Sequence, residues 1–332
     1  MSAGESNPRT PPSRDLLGPQ FVRRLVFFVL AGAALYLGAA LWSGRAEILQ
    51  ALGLLGVPAM LAAAGVASIS FFMRFARWHA ALSWMGSRVP VAANLTIYLS
   101  GLALTASPGK VGETIRSVLL APRGVPVSRS LAAFLADRLS DVLGVCLLGA
   151  FAGWLGHSRF NYAGWALVVL LVACFLIRCL ALHPPVLERC ATLIGLIGRR
   201  PGRLLSEAIL QWARLWSFRN AALFAFLAAC AYGVQALVFA WICDGVGIAL
   251  PLSRAVEIYV NATLLGAASM VPGGLGAMEA SLVIQLVDHG TSHSTAVAAA
   301  IAVRLVTLWF AILMGLGCLA RVTSEMMLTG KD

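Results

Sequence analysis

Apolar residues in this chain fall into long runs rather than into an alternation of inside and outside positions. The runs cover residues 22–42, 53–74, 92–106 with 109–121, 130–154, 161–182, 219–243, 255–270 with 274–287, and 295–319. Runs of roughly 20 apolar residues predict membrane-spanning helices. Two of the runs differ from the rest, because each is broken at a Pro-Gly step into pieces too short to cross a bilayer of about 30 Å. The first break reads Ser107-Pro108-Gly109-Lys110-Val111-Gly112-Glu113-Thr114-Ile115-Arg116, and the second Val271-Pro272-Gly273-Gly274-Leu275-Gly276-Ala277-Met278-Glu279. Helix breakers and charges at membrane depth require cover from protein or a water-filled cavity.

Composition agrees with the pattern. Of the 332 residues 60% are hydrophobic and 12% charged, and mean hydropathy is +0.85. A soluble domain carries about twice that share of charge. The net charge of +11 fits basic cytoplasmic loops, and no nucleic-acid partner is expected. The seven cysteines form no C-x-x-C pair and give no disulfide frame or metal site. Residues 1–20, rich in Pro, Ser and Arg, read as a disordered cytoplasmic tail. The run that follows is too long for a signal peptide and is expected to remain as an anchor.

Charge sets the topology. With both termini cytoplasmic, segments 1–24, 74–91, 116–129, 178–219 and 320–332 are inside and hold 19 of the 25 Lys and Arg residues. Arg45, Arg159 and Arg254 lie outside, and Lys110, Arg138 and Arg304 fall within the membrane. This works if 92–121 enters and leaves on the inner side and 255–287 on the outer side, each as a re-entrant hairpin with its break at the tip. Two thin full crossings per pair are the alternative.

The expected fold is therefore an all-α polytopic membrane protein of two inverted-topology repeats, with about six full spans and two re-entrant helical hairpins. The first repeat occupies 21–155. The second occupies 156–320 and includes a cytoplasmic segment, 183–218, before a short tail at 321–332. Pro108 precedes Arg138 by 30 residues and Pro272 precedes Arg304 by 32, at matching places in the two halves. Inverted repeats with broken helices are a plan of alternating-access transporters. Within 183–218, Leu204, Ala208, Trp212, Leu215 and Trp216 share one helical face, as in a helix lying on the inner leaflet.

Candidate chemistry gathers at the breaks. Helix N-termini there would offer backbone amides to phosphate or carboxylate. Gly109, Gly112, Gly273, Gly274 and Gly276 would let a headgroup approach the chain, and Lys110 adds a positive charge. Tight helix packing would equally explain the glycines. Glu113 and Arg116 are spaced to pair. Arg138 has Asp137 beside it and Asp141 one turn on, whereas Arg304 has no acid within a turn and is expected to find Glu279 or an anionic ligand. Asn261 and Tyr259 are candidate hydrogen-bonding groups. No nucleotide or catalytic motif appears, and no cofactor is expected. His289 and His293 near Asp288 lack a third metal ligand.

Three motifs, Pro108-Gly-Lys-Val-Gly-Glu113-x-x-Arg116, Asp137-Arg138-x-x-Asp141 and Pro272-Gly-Gly-x-Gly-x-x-Glu279, resemble the lysylphosphatidylglycerol synthase transmembrane-region, or flippase-like, family. The resemblance implies a bacterial cytoplasmic-membrane protein that moves lipid between leaflets. Its substrate would be an anionic phospholipid or an isoprenoid-linked headgroup. No aminoacyl-transferase domain follows the membrane region in these residues, so synthase activity is not expected of them. An accessory subunit for a lipid-modifying enzyme partner, or a membrane enzyme acting on polyprenyl phosphate, are the other readings.

Overall fold

The computed structural model describes residue 38 and residues 45–105, 115–156, 162–183 and 199–329. The run at 22–42 falls almost wholly outside them. So do Pro108, Gly109, Lys110, Gly112 and Glu113 of the first break.

Among the described residues the chain is helical, with no strand. The helices are α1 Arg45–Trp84, α2 Val91–Leu102, α3 Ile115–Leu120, α4 Val127–Leu155, α5 Tyr162–Ala181, α6 Arg199–Leu215, α7 Phe218–Gly245, α8 Leu252–Ala268, α9 Ala277–Asp288, α10 His293–Arg304 and α11 Phe310–Thr329. A π-turn, Leu305–Trp309, joins the last two. Three starts share one local device. Pro90, Pro126 and Pro251, each flanked by aliphatic residues, precede α2, α4 and α8. Proline lacks the N–H that a helix start would leave unbonded, and its fixed φ suits the entry. Ser217 and Ser292 cap α7 and α10 by accepting from the N–H groups of Asn220 and Thr295.

Residues Gly53–Trp84, Phe218–Gly245 and His293–Glu325 are long and apolar enough to cross a bilayer. Helix α4 has 29 residues, roughly 43 Å at the helical rise, but carries Asp137, Arg138 and Asp141 along its middle. On α5, Trp165, Val169, Val172, Phe175 and Leu176 are exposed. That much outward apolar surface fits hydrocarbon and not water. The chain is an all-α integral membrane protein. In contrast, α2, α3, α8 and α9 have 12, 6, 17 and 12 residues, or about 18, 9, 26 and 18 Å. None reaches the thickness of the hydrocarbon core.

Packing is crosswise. Helix α2 packs principally on α11, and α8 packs on α4, α9 and α7. Helix α7 lies between α1 and α4. Small residues permit these approaches. A Cβ on Gly315 would fall on the backbone of Leu102 and Ala103, and one on Gly144 on Ala228 and Ala229.

Two expectations need correction. Helix α1 does not end at residue 74 but continues to Trp84, so Arg74 and Arg77 are not loop charges. Arg77 is 1% exposed, and Arg116, also assigned to an inner loop, is 0% exposed. The apolar face of α6 is turned largely into the protein, with Leu204 alone of the expected stripe exposed. Ala208, Trp212, Leu215 and Trp216 are buried, with α6 packed on α4 and α5 and Trp216 edge-on to Phe224 of α7.

Candidate functional site

Within α1, Phe71, Phe75, Trp78 and Leu82 repeat at helical spacing and are buried, which carries the helix past Arg74 and Arg77 and holds both against α4. Arg77 closes on one oxygen of the Asp137 carboxylate, donating to Oδ1 from Nε at 2.9 Å and also from Nη2. The same Nη2 donates to Asp141 Oδ1 at 2.6 Å. Arg138 reaches Asp137 Oδ2 at 2.7 Å and Asp141 Oδ2 at 3.2 Å. Arg116 lies 4.0 Å from Asp137 Oδ2, donates to the Tyr98 carbonyl at 3.1 Å, and sits over the Tyr98 ring at 3.9 Å. Asp137 is thus the hub of a buried ion cluster. Buried charges persist when paired and hydrogen-bonded in this way.

Beside the cluster is a cavity of about 320 Å³ between α1, α4, α7, α8, the second break and the π-turn. Arg74, Arg138 and Arg304 line it, together with Asp141, Tyr232, Gln235 and Tyr259. Its remaining walls are largely aliphatic. Gln235 organises the polar side. Its Oε1 accepts from Tyr259 Oη at 3.0 Å and from Arg74 Nη2 at 3.3 Å, while its Nε2 donates to Ser70 Oγ at 3.0 Å. The Arg74 guanidinium lies over the Tyr232 ring at 4.4 Å.

At the second break Gly273, Gly274 and Gly276 all have positive φ, as does Met270. That turn admits glycine without penalty and strains other residues. Gly273 and Gly274 line the cavity, as Met270 and Val271 do. Arg304 donates from Nε to Glu279 Oε1 at 2.7 Å and from Nη2 to the Gly273 carbonyl at 2.6 Å. The other carboxylate oxygen of Glu279 accepts from the Gly276 N–H at 2.7 Å, capping α9. Arg304 ends α10 immediately before the π-turn, a distortion frequent at functional sites.

Three of the amides expected to be open at this break are engaged. Gly274 N–H donates to Val271 O at 2.8 Å and Leu275 N–H to Pro272 O at 3.2 Å, and Glu279 takes the Gly276 N–H. Pro272 and Gly276 shape the turn without lining the cavity. Asn261 is also displaced from the site. It donates to Gln285 Oε1 at 3.2 Å and ties α8 to α9. Asp137 and Arg116 stand behind the cavity wall. Arg74, Arg77, Tyr232 and Gln235 were not among the expected residues. For Arg74 and Arg77 the readable signal was the apolar periodicity running on to Leu82.

A family model described as the lysylphosphatidylglycerol synthase TM region matches residues 29–315. A UPF0104 membrane protein of Methanothermobacter thermautotrophicus is 28% identical over an alignment of 97 residues that covers 26% of this chain and 29% of the relative. The chain therefore spans under a third of the length of that curated relative. With its helical membrane architecture and a family match that includes both breaks and the charged α4, this chain belongs to the lysylphosphatidylglycerol synthase transmembrane-region family.

Proposed function

We propose that this protein is a lipid transporter that moves an anionic or phosphate-bearing headgroup between leaflets while the acyl or isoprenoid tails stay in the bilayer. The observation that carries this reading is the cavity itself. Three arginines from three helices converge on a largely apolar space bounded by membrane helices. Charge at that depth costs about 2.5–3.5 kcal/mol per residue on insertion scales, and a site for a charged ligand gives it a use. The exposed apolar residues Met270 and Val271 line the same space, which provides a lipid-compatible edge.

In this reading the short arms α2/α3 and α8/α9 are re-entrant hairpins of two inverted repeats. Support comes from the proline that starts α2 and α8, and from the crosswise seating of each on the last span of the opposite repeat. The expected place is the inner membrane with both termini cytoplasmic. The protein acts without chemistry of its own, and transport runs downhill or on an ion gradient. The test is headgroup translocation in liposomes holding the purified protein. Arg138→Ala and Arg304→Ala should each lower the rate at least about tenfold, a loss equal to about 1.4 kcal/mol. Rates equal to wild type in both would remove the mechanism.

A further inference from the structure

The three arginines of the cavity differ in what already holds them. Arg138 is engaged by Asp137 and Asp141, and Arg304 by Glu279 and the Gly273 carbonyl. Arg74 has no carboxylate within ion-pair distance among the described residues. Its one hydrogen bond there goes to a neutral amide, Gln235, at 3.3 Å, and its buried Nε has no acceptor. Buried polar groups are nearly always hydrogen-bonded, and each exception calls for a cause. A guanidinium with five N–H donors, one long hydrogen bond and a cavity beside it is a half-filled anion site.

We propose that Arg74 is the anion-binding residue of this cavity and that it seats the phosphate of a phosphodiester or phosphomonoester headgroup. The assignment rests on the transport reading and sharpens it by naming the ligand's chemistry and the group that meets it. Arginine suits the task because its planar fork can meet two phosphate oxygens at once. The Tyr232 ring beneath and the Gln235 amide at its edge hold the plane in place. Gln235 is itself fixed by Tyr259 and Ser70, so the fork is oriented before ligand arrives. Arg138 and Arg304, already engaged by carboxylates, form the walls of the site. Tyr232 and Gln235 are positioning residues.

Binding is measured on the full chain in a maltoside detergent, which carries no phosphate. Native mass spectrometry reads retained phosphatidylglycerol, with diacylglycerol as a neutral lipid and glycerol 1-phosphate as a soluble phosphate. Wild type should retain phosphatidylglycerol in preference to diacylglycerol. Arg74→Gln should weaken retention by roughly 10- to 100-fold, the range expected for a lost charge-assisted hydrogen bond. Arg203→Gln, on the exposed face of α6, should match wild type. Competition by glycerol 1-phosphate would assign recognition to the headgroup, and tight binding of that probe without lipid retention would name a free phosphate as the ligand. Either pattern supports the assignment when Arg74→Gln abolishes it. Equal binding of phosphatidylglycerol by wild type and Arg74→Gln would overturn it, as would retention no better than that of diacylglycerol with no binding of the soluble probe. Arg74→Met repeats the test should Arg74→Gln not be recovered from membranes. Translocation separates the two readings. Wild type that binds through Arg74 but moves no lipid sinks the transport reading alone, whereas Arg74→Gln that transports normally sinks the assignment alone.

Discussion

Glu279 serves two helices at once, capping α9 with one oxygen and holding Arg304 of α10 with the other. Glu279→Gln leaves the guanidinium buried and without its counter-charge. The expected loss is about 3–5 kcal/mol, visible as a lowered melting point in detergent. Replacing both partners, Glu279→Leu with Arg304→Leu, should recover most of that stability while translocation stays impaired, because a buried ion pair adds little net stability over apolar packing. Asp137→Asn is expected to cost at least as much as Glu279→Gln, since Arg77 and Arg138 both close on that carboxylate. Part of this was readable from sequence. An arginine at membrane depth must find an acid, and Glu279 was the candidate in reach. Arg74 and Arg77 were misread because a basic residue at the end of an apolar run looks the same whether it leaves the membrane or turns into the protein.

At the scale of elements, the described helices and the second break were legible, because a span's length and a Pro-Gly interruption are local properties. What covers each face was not. The tryptophan stripe of α6 has the amphipathic form of a helix lying on lipid, and the same form serves a helix packed on α4. The opposite case is α5, whose exposed apolar face predicts that Val169→Arg reduces membrane insertion by about 2.5–3.5 kcal/mol on the scale for mid-span arginine, measurable by glycosylation mapping. Close helix contacts give a second prediction. Gly315→Leu would drive side-chain atoms into the backbone of Leu102 and Ala103. It should lower stability by about 1–3 kcal/mol and separate α2 from α11, which a loss of monodisperse protein on size exclusion would report.

For the molecule as a whole, sequence predicted a cationic site at mid-depth, and the described residues place Arg138 and Arg304 on one cavity. They add Arg74, and they remove Asn261 from it. Cavity shape depends on how α1, α4, α7 and α8 meet, and no single run of sequence holds that information. The crossed seating of α2 on α11 and of α8 on α4 reaches further. Residues 1–183 and 184–332, made separately, would each present a bare groove where an arm of the other belongs. Expressed together they should assemble and co-purify, while either one alone should be cleared by proteolysis. Two such fragments behave like clasped hands, so a gene for half of this protein would encode nothing able to persist without a second copy or a partner to grip.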